Sequence, residues 1–284
     1  MQANWIHELL LEGMLEYKNG RWISKDITSS QVAWSFSSEW KSHLDTGQQK
    51  TWDMTAAQRL ECFYGETKTN PAELTGKIVL DTGCGTGQLT EAIAAAGART
   101  IGIDRQPHLP DGNASCQFIQ GDFDQPPLKP AGFDIVIANG SIHHTPDTRL
   151  SFNAISSLVK PGGKLYVFVY RKQRGWKRIQ LFFLDFARFF ISRMGPGLQR
   201  FFVNMLTTFF YGLSRIRKGE NSSRSKPEIR INIYDAFTPR YRFYHDQEEI
   251  SHWFAENGFD KMEVTLAGNA YGFGMLGIRE LSNH

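Results

Sequence analysis

A glycine-rich segment follows a short apolar run near residue 80. Its residues are Asp81-Thr82-Gly83-Cys84-Gly85-Thr86-Gly87. Alternate glycines let a backbone turn sharply and approach a ligand where any Cβ would collide. The first amides of a helix that follows such a turn can bind an anionic group such as a carboxylate. Because ligands of open α/β sheets bind at the carboxyl ends of strands, the segment is predicted to be a ligand-binding loop.

Two common nucleotide-binding loops do not match this spacing. A dinucleotide loop needs Gly-x-Gly-x-x-Gly, but Gln88 and Thr90 stand where the third glycine is required. A phosphate-binding loop ends in Gly-Lys-Ser/Thr, which the segment lacks. Asp104 follows the next apolar run, at about the distance expected of an acid that binds ribose hydroxyls. The glycine loop and this acid therefore predict a pocket for a ribose-containing ligand.

Short apolar runs alternate with helix-forming stretches through the middle of the chain. Strands are predicted at 78–80, 99–103, 116–119, 133–138 and 164–169, with helices at 89–96 and 149–159. A further helix is predicted from Asp246 to Gly258, and two late strands at 262–266 and 271–278. This alternation requires crossover connections, so it predicts a parallel sheet covered by helices on both faces.

The ordered set of motifs resembles the class I S-adenosylmethionine-dependent methyltransferases. The acid followed by Gly-x-Gly-x-Gly resembles motif I of that family. Further matches are Gly121-Asp122-Phe123 after the third strand, Asn139-Gly140-Ser141-Ile142-His143-His144 after the fourth, and Lys160-Pro161-Gly162-Gly163 before the fifth. The resemblance covers about 75–170 and, more weakly, 230–280.

The resemblance implies an α/β fold with a seven-stranded, mostly parallel, Rossmann-like sheet and helices on both faces. We expect an N-terminal helical cap at 1–74 and a methyltransferase domain at 75–284. A helical lid insert at about 176–228 would follow the fifth strand and contain a polar linker at 219–225.

The resemblance also implies roles for individual residues. The methionine part of the cofactor would be bordered by Asp81, Gly83, Cys84, Gly85, Gly87 and Asn139. Asp104 would hold the ribose, while Arg105, Asp122 and Phe123 would surround the adenine. Second interpretations stay open, namely Phe123 as a core residue, Arg105 as a solvated side chain and Asp122 as a turn cap.

Three histidines are candidate catalytic bases, because imidazole titrates near neutral pH. His143 and His144 follow the fourth predicted strand, and His245 follows an aromatic segment. Paired histidines in this family are also often structural. The cysteines and histidines lack metal-ligand spacing, so no metal is expected.

The predicted reaction transfers a methyl group from S-adenosylmethionine to an oxygen or nitrogen of a small-molecule or lipid-like acceptor and leaves S-adenosylhomocysteine. Nucleic-acid bases are not expected acceptors, because Asn139-Gly140-Ser141 stands where base amino methyltransferases carry Asn/Asp-Pro-Pro-aromatic. An RNA methyltransferase with another target and a catalytically silent binding partner are the alternatives.

The insert alternates phenylalanines at helical spacing with many arginines and lysines. One interpretation is a lid whose phenylalanines face the core. The other is a basic amphipathic surface that contacts an anionic membrane or admits a lipid-like substrate.

Bulk composition is that of an ordinary globular protein, with 41% hydrophobic and 21% charged residues among 284. The net charge of +3 is too small to indicate nucleic acid as a partner. Three cysteines without a CxxC pair and no secretory signal predict a cytoplasmic protein, with peripheral membrane contact as the open alternative.

Overall fold

The computed structural model of the protein describes residues 4–27, 54–218, 225–266 and 271–281. The chain divides into two compact units, of which the first holds the sheet and the second includes residues 173–242. The part of the predicted N-terminal cap at 28–53 and the predicted linker at 219–224 lie outside the described residues.

Nine strands form one mixed sheet. They are β1 (Leu15–Lys18), β2 (Arg21–Ser24), β3 (Ile78–Thr82), β4 (Arg99–Asp104), β5 (Cys116–Gln120), β6 (Phe133–Asn139), β7 (Val159–Tyr170), β8 (Phe259–Leu266) and β9 (Gly272–Arg279). Their order across the sheet is β1-β2-β5-β4-β3-β6-β7-β9-β8. The strands β5, β4, β3, β6 and β7 are parallel to one another, whereas β9 is antiparallel to both β7 and β8.

The helices fall between these strands. They are α1 (Ala56–Thr67), α2 (Gln88–Ala95), α3 (Thr148–Ser157), α4 (Trp176–Ile191), α5 (Pro196–Lys218), α6 (Lys226–Phe237) and α7 (Gln247–Glu256). Short 3-10 turns lie at Asn4–Glu8, Pro71–Glu73 and Ile142–His144. None of the helices that the structure describes combines the length and the apolar character required to cross a bilayer.

The sheet has nine strands, not the predicted seven, because an N-terminal hairpin is added to its edge. Strands β1 and β2 pair antiparallel, and Trp22 of β2 lies opposite Ile119 of β5. The turn is Asn19-Gly20, with φ of 51° and 76°. Asn-Gly is the preferred sequence for a two-residue hairpin turn that needs positive φ at both positions. The N-terminal segment is therefore not purely helical, and its hairpin covers the β5 edge that would otherwise be open.

The predicted turn before the fifth strand is part of β7. Phe133 lies opposite Val159, but Ile135 lies opposite Lys164, so residues 160–163 form an irregularity within the pairing of β6 and β7. The late strands β8 and β9 and the helix α7 lie within a few residues of their predicted positions.

Alternate residues of the central strands are buried on opposite faces of the sheet. Val136 belongs to a cluster with Phe152 of α3 and Phe254 of α7. Ile135 and Ile137 belong to another, with Phe63 of α1 and Leu89 of α2. This period of two confirms the α/β architecture with helices on both faces. A separate cluster in the second unit joins Val203 of α5 to Ile229 and Ile233 of α6.

Candidate active site

The glycine loop leaves the carboxyl end of β3 with three left-handed residues. Gly83, Gly85 and Gly87 have φ of 73°, 57° and 79°. An added Cβ at Gly83 would collide with the side chain of Ser141, and one at Gly87 would lie 2.7 Å from the Phe118 ring. Glycine is therefore required here by both backbone conformation and packing.

Asp104 joins the tip of β4 to this loop. Its Oδ2 accepts a hydrogen bond from Gly85 N at 2.9 Å and its Oδ1 accepts one from Gln106 N at 3.0 Å. Gln106 in turn donates its Nε2 to Gly85 O at 2.6 Å. Burial raises the pKa of Asp104, while the backbone amides around it oppose that rise. The predicted juxtaposition of acid and loop is thus present in the structure.

Asp81 is buried at the end of β3, directly before the loop. Thr90 of α2 donates its Oγ1 to Asp81 Oδ2 at 2.7 Å. Burial raises the pKa of Asp81 to about 6, against the hydrogen bond from Thr90 and the positive charge of Arg59. A buried acid with a nearby cation is suited to bind a zwitterionic group, which carries one positive and one negative charge.

The segment after β5 lies close to the same loop. Arg105 forms an ion pair with Asp122, and its Nη2 lies 3.8 Å from Asp124 Oδ2. Asp122 Oδ1 also accepts a hydrogen bond from Asp124 N, which stabilises the turn. Phe123 is buried in the largest hydrophobic cluster, with its Cε1 3.7 Å from the position of a Cβ at Gly83. Arg105 is therefore paired rather than simply solvated, and Phe123 is both a core residue and a neighbour of the loop.

Two other residues predicted to bind the cofactor, Asn139 and Cys84, differ in burial and in side-chain contacts. Asn139 ends β6 opposite Phe168 and is half-buried. The Cys84 side chain packs in a cluster with Leu109 and Phe118 beside β4. Only the backbone of Cys84 is accordingly suited to contact a ligand.

The paired histidines after β6 are buried around a tyrosine of β7. The ring centroids of His143 and Tyr170 lie 4.1 Å apart, and those of His143 and His144 lie 4.4 Å apart. His143 O accepts a hydrogen bond from Phe243 N at 2.9 Å. The returning chain at Phe243 is thereby fixed to the loop that follows β6.

His245 lies on the same returning segment but its ring faces α7. Its N donates to Tyr170 O at 2.8 Å, and its ring centroid lies 5.2 Å from that of Trp253. The Nδ1 atom lies 3.3 Å from Glu249 Oε1. Burial lowers the pKa of His245, although the Glu249 carboxylate opposes the change.

Sequence reasoning missed four residues that support this region. They are Arg59, Thr90, Gln106 and Ser141, whose Oγ donates to Thr82 O at 2.8 Å. Ser141 lies in the predicted segment after the fourth strand, and Gln106 lies two residues after Asp104, so their positions were available from the sequence. Arg59 has no such signal, because only the packing of α1 against α2 and the sheet brings it near Asp81.

Comparison with known proteins agrees with this geometry. Residues 80–167 match the profile of the family described as "Methyltransferase domain". A ubiquinone biosynthesis O-methyltransferase of Xanthomonas euvesicatoria is 36% identical over 104 residues, which cover 34% of this chain and 44% of that protein. The protein of the same name from Ralstonia nicotianae is 28% identical over 184 residues, covering 62% of this chain and 74% of that protein. The match thus spans less than half the length of the first of these relatives.

A solved structure with a similar fold is phosphoethanolamine N-methyltransferase 2 of Haemonchus contortus. The TM-score is 0.53 at 13% identity, over 90% of this chain and 61% of that chain. The likeness supports the α/β fold. The acid and glycine loop at neighbouring strand ends lie within or beside residues 80–167, the part of the chain that is similar to a methyltransferase domain.

Proposed function

We propose that the protein transfers a methyl group from S-adenosylmethionine to an oxygen or nitrogen of a small-molecule or lipid-like acceptor. The observation that carries this proposal is the hydrogen bond from Gly85 N to Asp104 Oδ2 at 2.9 Å. This hydrogen bond joins an acid that is suited to bind ribose hydroxyls to a glycine loop whose backbone a ligand can approach closely.

The residues around the loop fit the donor. A carboxylate offers about four lone-pair sites, and Asp104 uses two of them on Gly85 N and Gln106 N. The remaining two suit the paired hydroxyls of a ribose. Asp81 and Arg59 supply opposite charges for the ammonium and the carboxylate of the methionine end. Arg105, Asp122 and Phe123 are proposed to surround the adenine.

The bound donor supplies a sulfonium-activated methyl group. When the acceptor oxygen or nitrogen forms its bond to this methyl, the carbon–sulfur bond breaks and S-adenosylhomocysteine is left. The protein must align the acceptor in line with that bond and take up any acceptor proton. We propose His143, His144 and His245 as the candidate groups for the proton. Glu249 lies beside Nδ1 of His245 and burial lowers the pKa of its imidazole, but its ring packs on Trp253 of α7.

The acceptor class is supported by the relatives and by the position of the insert in the chain. Relatives named for O-methylation in ubiquinone biosynthesis favour an oxygen of a small molecule. Lys172 N donates to His245 O at 2.9 Å, so the chain leaves and re-enters the sheet unit at one place beside Tyr170. The part of the second unit at residues 173–242 is therefore inserted in the chain between Lys172 and Phe243. We therefore propose residues 176–228 as a lid for the acceptor, and a cytoplasmic location for the protein.

Calorimetric titration with S-adenosylhomocysteine tests the donor site. Asp104→Ala should weaken binding at least tenfold, since the two charge-assisted hydrogen bonds that Asp104 would accept from the ribose hydroxyls are lost. Glu248→Ala removes an exposed acid from α7 and should bind as the parent protein does. Absence of binding to the parent protein would contradict the proposal.

Turnover of methyl-labelled donor with a cell extract then tests the reaction. Label in a small organic-soluble or water-soluble product supports the proposed acceptor class. Label confined to RNA would instead identify an RNA methyltransferase. No label at all, with donor binding intact, would identify a catalytically silent binding partner.

A further inference from the structure

The helices α4 and α5 expose an unusual amount of aromatic surface. Eighteen large hydrophobic side chains are exposed among the described residues, and thirteen of them lie on these two helices. We define the aromatic face by its members Phe182, Phe183, Phe186, Phe201, Met205 and Phe209, which are 47–66% exposed. Exposed apolar residues scattered singly are normal, but a concentration of this kind indicates a surface that binds something.

Several buried positions of the same helices carry polar side chains, alongside the apolar Ile191 and Val203. Arg188 of α4 is 7% exposed, and Gln199 and Thr207 of α5 are 1% and 2% exposed. A helix of a water-soluble domain normally buries its apolar stripe and exposes its polar one. Here that pattern is partly inverted, so the aromatic face is not explained by packing within the described part of the protein.

Positive charge accompanies the aromatic face. Residues 173–218 contain nine arginines and lysines and one acid, Asp185, whereas the net charge of the whole chain is +3. Asp185 forms an ion pair with Arg188 at 2.7 Å, which leaves the acid's charge compensated. The cations Lys177, Arg178 and Arg200 are exposed. The outer side of these helices therefore combines phenyl rings with a strongly positive field.

We propose that the outer sides of α4 and α5 dock on the surface of an anionic phospholipid membrane. Phenyl rings partition into the boundary between headgroups and acyl chains, and arginines and lysines pair with the lipid phosphates. A second copy of the chain is a poorer partner, because face-to-face contact would bring two positive surfaces together. Docking does not require methyl transfer, but it would present lipid-like acceptors to the proposed lid.

Vesicle flotation with the full chain tests the proposal directly. The protein should float with phosphatidylcholine vesicles that contain phosphatidylglycerol, float much less with phosphatidylcholine alone, and be released by high salt. Replacing two exposed cations, as in R178Q with R200Q, should lower the partition coefficient roughly 30-fold at low ionic strength. Equal recovery with both kinds of vesicle, or recovery with neither, would overturn the proposal.

Aromatic variants test the apolar half of the surface. Phe182→Ser with Phe186→Ser and Phe201→Ser should reduce flotation more than tenfold. Leu150→Ser and Tyr271→Ser, at exposed apolar positions of the sheet unit, are the matched controls and should float as the parent does. If the serine variant does not fold, the charge variants decide, because exposed cations contribute little to folding.

Two further measurements separate this proposal from its competitors. Sedimentation velocity without vesicles should show that the aromatic face does not mediate self-association. A dimer that the aromatic variant abolishes, together with no flotation, would overturn the proposal. Calorimetry with S-adenosylhomocysteine is expected to give the same affinity for all of these variants. Loss of flotation with intact binding of S-adenosylhomocysteine therefore bears only on membrane docking. Absence of S-adenosylhomocysteine binding in the parent protein bears only on the proposed function.

Discussion

At the scale of single residues, Asp81 is a buried acid at the proposed donor site. Its pKa is raised to about 6, chiefly by burial. An acid whose pKa is raised by folding is neutral below that value. The folded state of the protein is therefore favoured at low pH, and this stabilisation is lost as the pH rises through about 6. Binding of a ligand ammonium has the opposite preference, because it needs the ionised carboxylate.

We therefore expect the affinity for S-adenosylhomocysteine to be constant above about pH 7 and to fall below about pH 6, by up to tenfold per pH unit. Asp81→Asn should bind more weakly at neutral pH and lose this dependence. Calorimetry across the range provides the measurement. An unchanged pH profile in the variant would assign the titration to another group.

Gly83 is a position where both the backbone conformation and the packing of neighbouring side chains require glycine. Its φ is 73°, and an added Cβ would collide with the Ser141 side chain. Gly83→Ala should lower the free energy of unfolding by about 1–3 kcal/mol and weaken donor binding. Adding Ser141→Gly should recover the steric part of the loss but not the backbone part. Urea unfolding of the single and double variants separates the two; equal stability of all three proteins would refute the argument.

At the scale of elements, the β1–β2 hairpin extends the sheet beyond the parallel strands. Trp22 is 5% exposed and lies opposite Ile119, while Trp5 Nε1 donates to Ala114 O at 2.9 Å. The hairpin thus stabilises the region that leads into β5 and, through it, the segment that contains Asp122.

Trp22→Ala should destabilise the protein by about 3–5 kcal/mol, because a large buried side chain is replaced by a cavity. Trp176→Ala, at a position 69% exposed, is the matched control and should change stability by less than about 0.5 kcal/mol. Denaturant unfolding gives both values. Hydrogen exchange should also show reduced protection of the β5 amides in the first variant only, and unchanged protection would mean that the hairpin is dispensable.

At the scale of the whole molecule, all residues of the proposed donor site lie in the sheet unit. A ligand at 100 times its dissociation constant stabilises the folded state by about 2.7 kcal/mol. For a chain of this size we expect S-adenosylhomocysteine to raise the melting temperature by roughly 5–10 °C. Calorimetric melting of the parent should show this shift, whereas Asp104→Ala should show a clearly smaller one. A similar shift in both proteins would place the ligand elsewhere.

Much of the fold followed from local patterns. The five parallel strands, the glycine loop and Asp104 were predicted because strand periodicity and glycine conformation depend on neighbouring residues in the chain. The hairpin at Asn19-Gly20 was also encoded locally, but its place in the sheet depends on the exposed edge of β5. The seven-strand prediction therefore fell short at an edge, where pairing is decided in space.

The sequence by itself determined which strand ends carry acids and which residues must be glycine. The tertiary structure alone decided that Arg59 approaches Asp81, that Arg105 pairs with Asp122, and that the ring of His245 faces α7. It also decided which sides of α4 and α5 are exposed. Periodicity can identify an amphipathic helix, but only contacts between segments distant in sequence determine which side is covered.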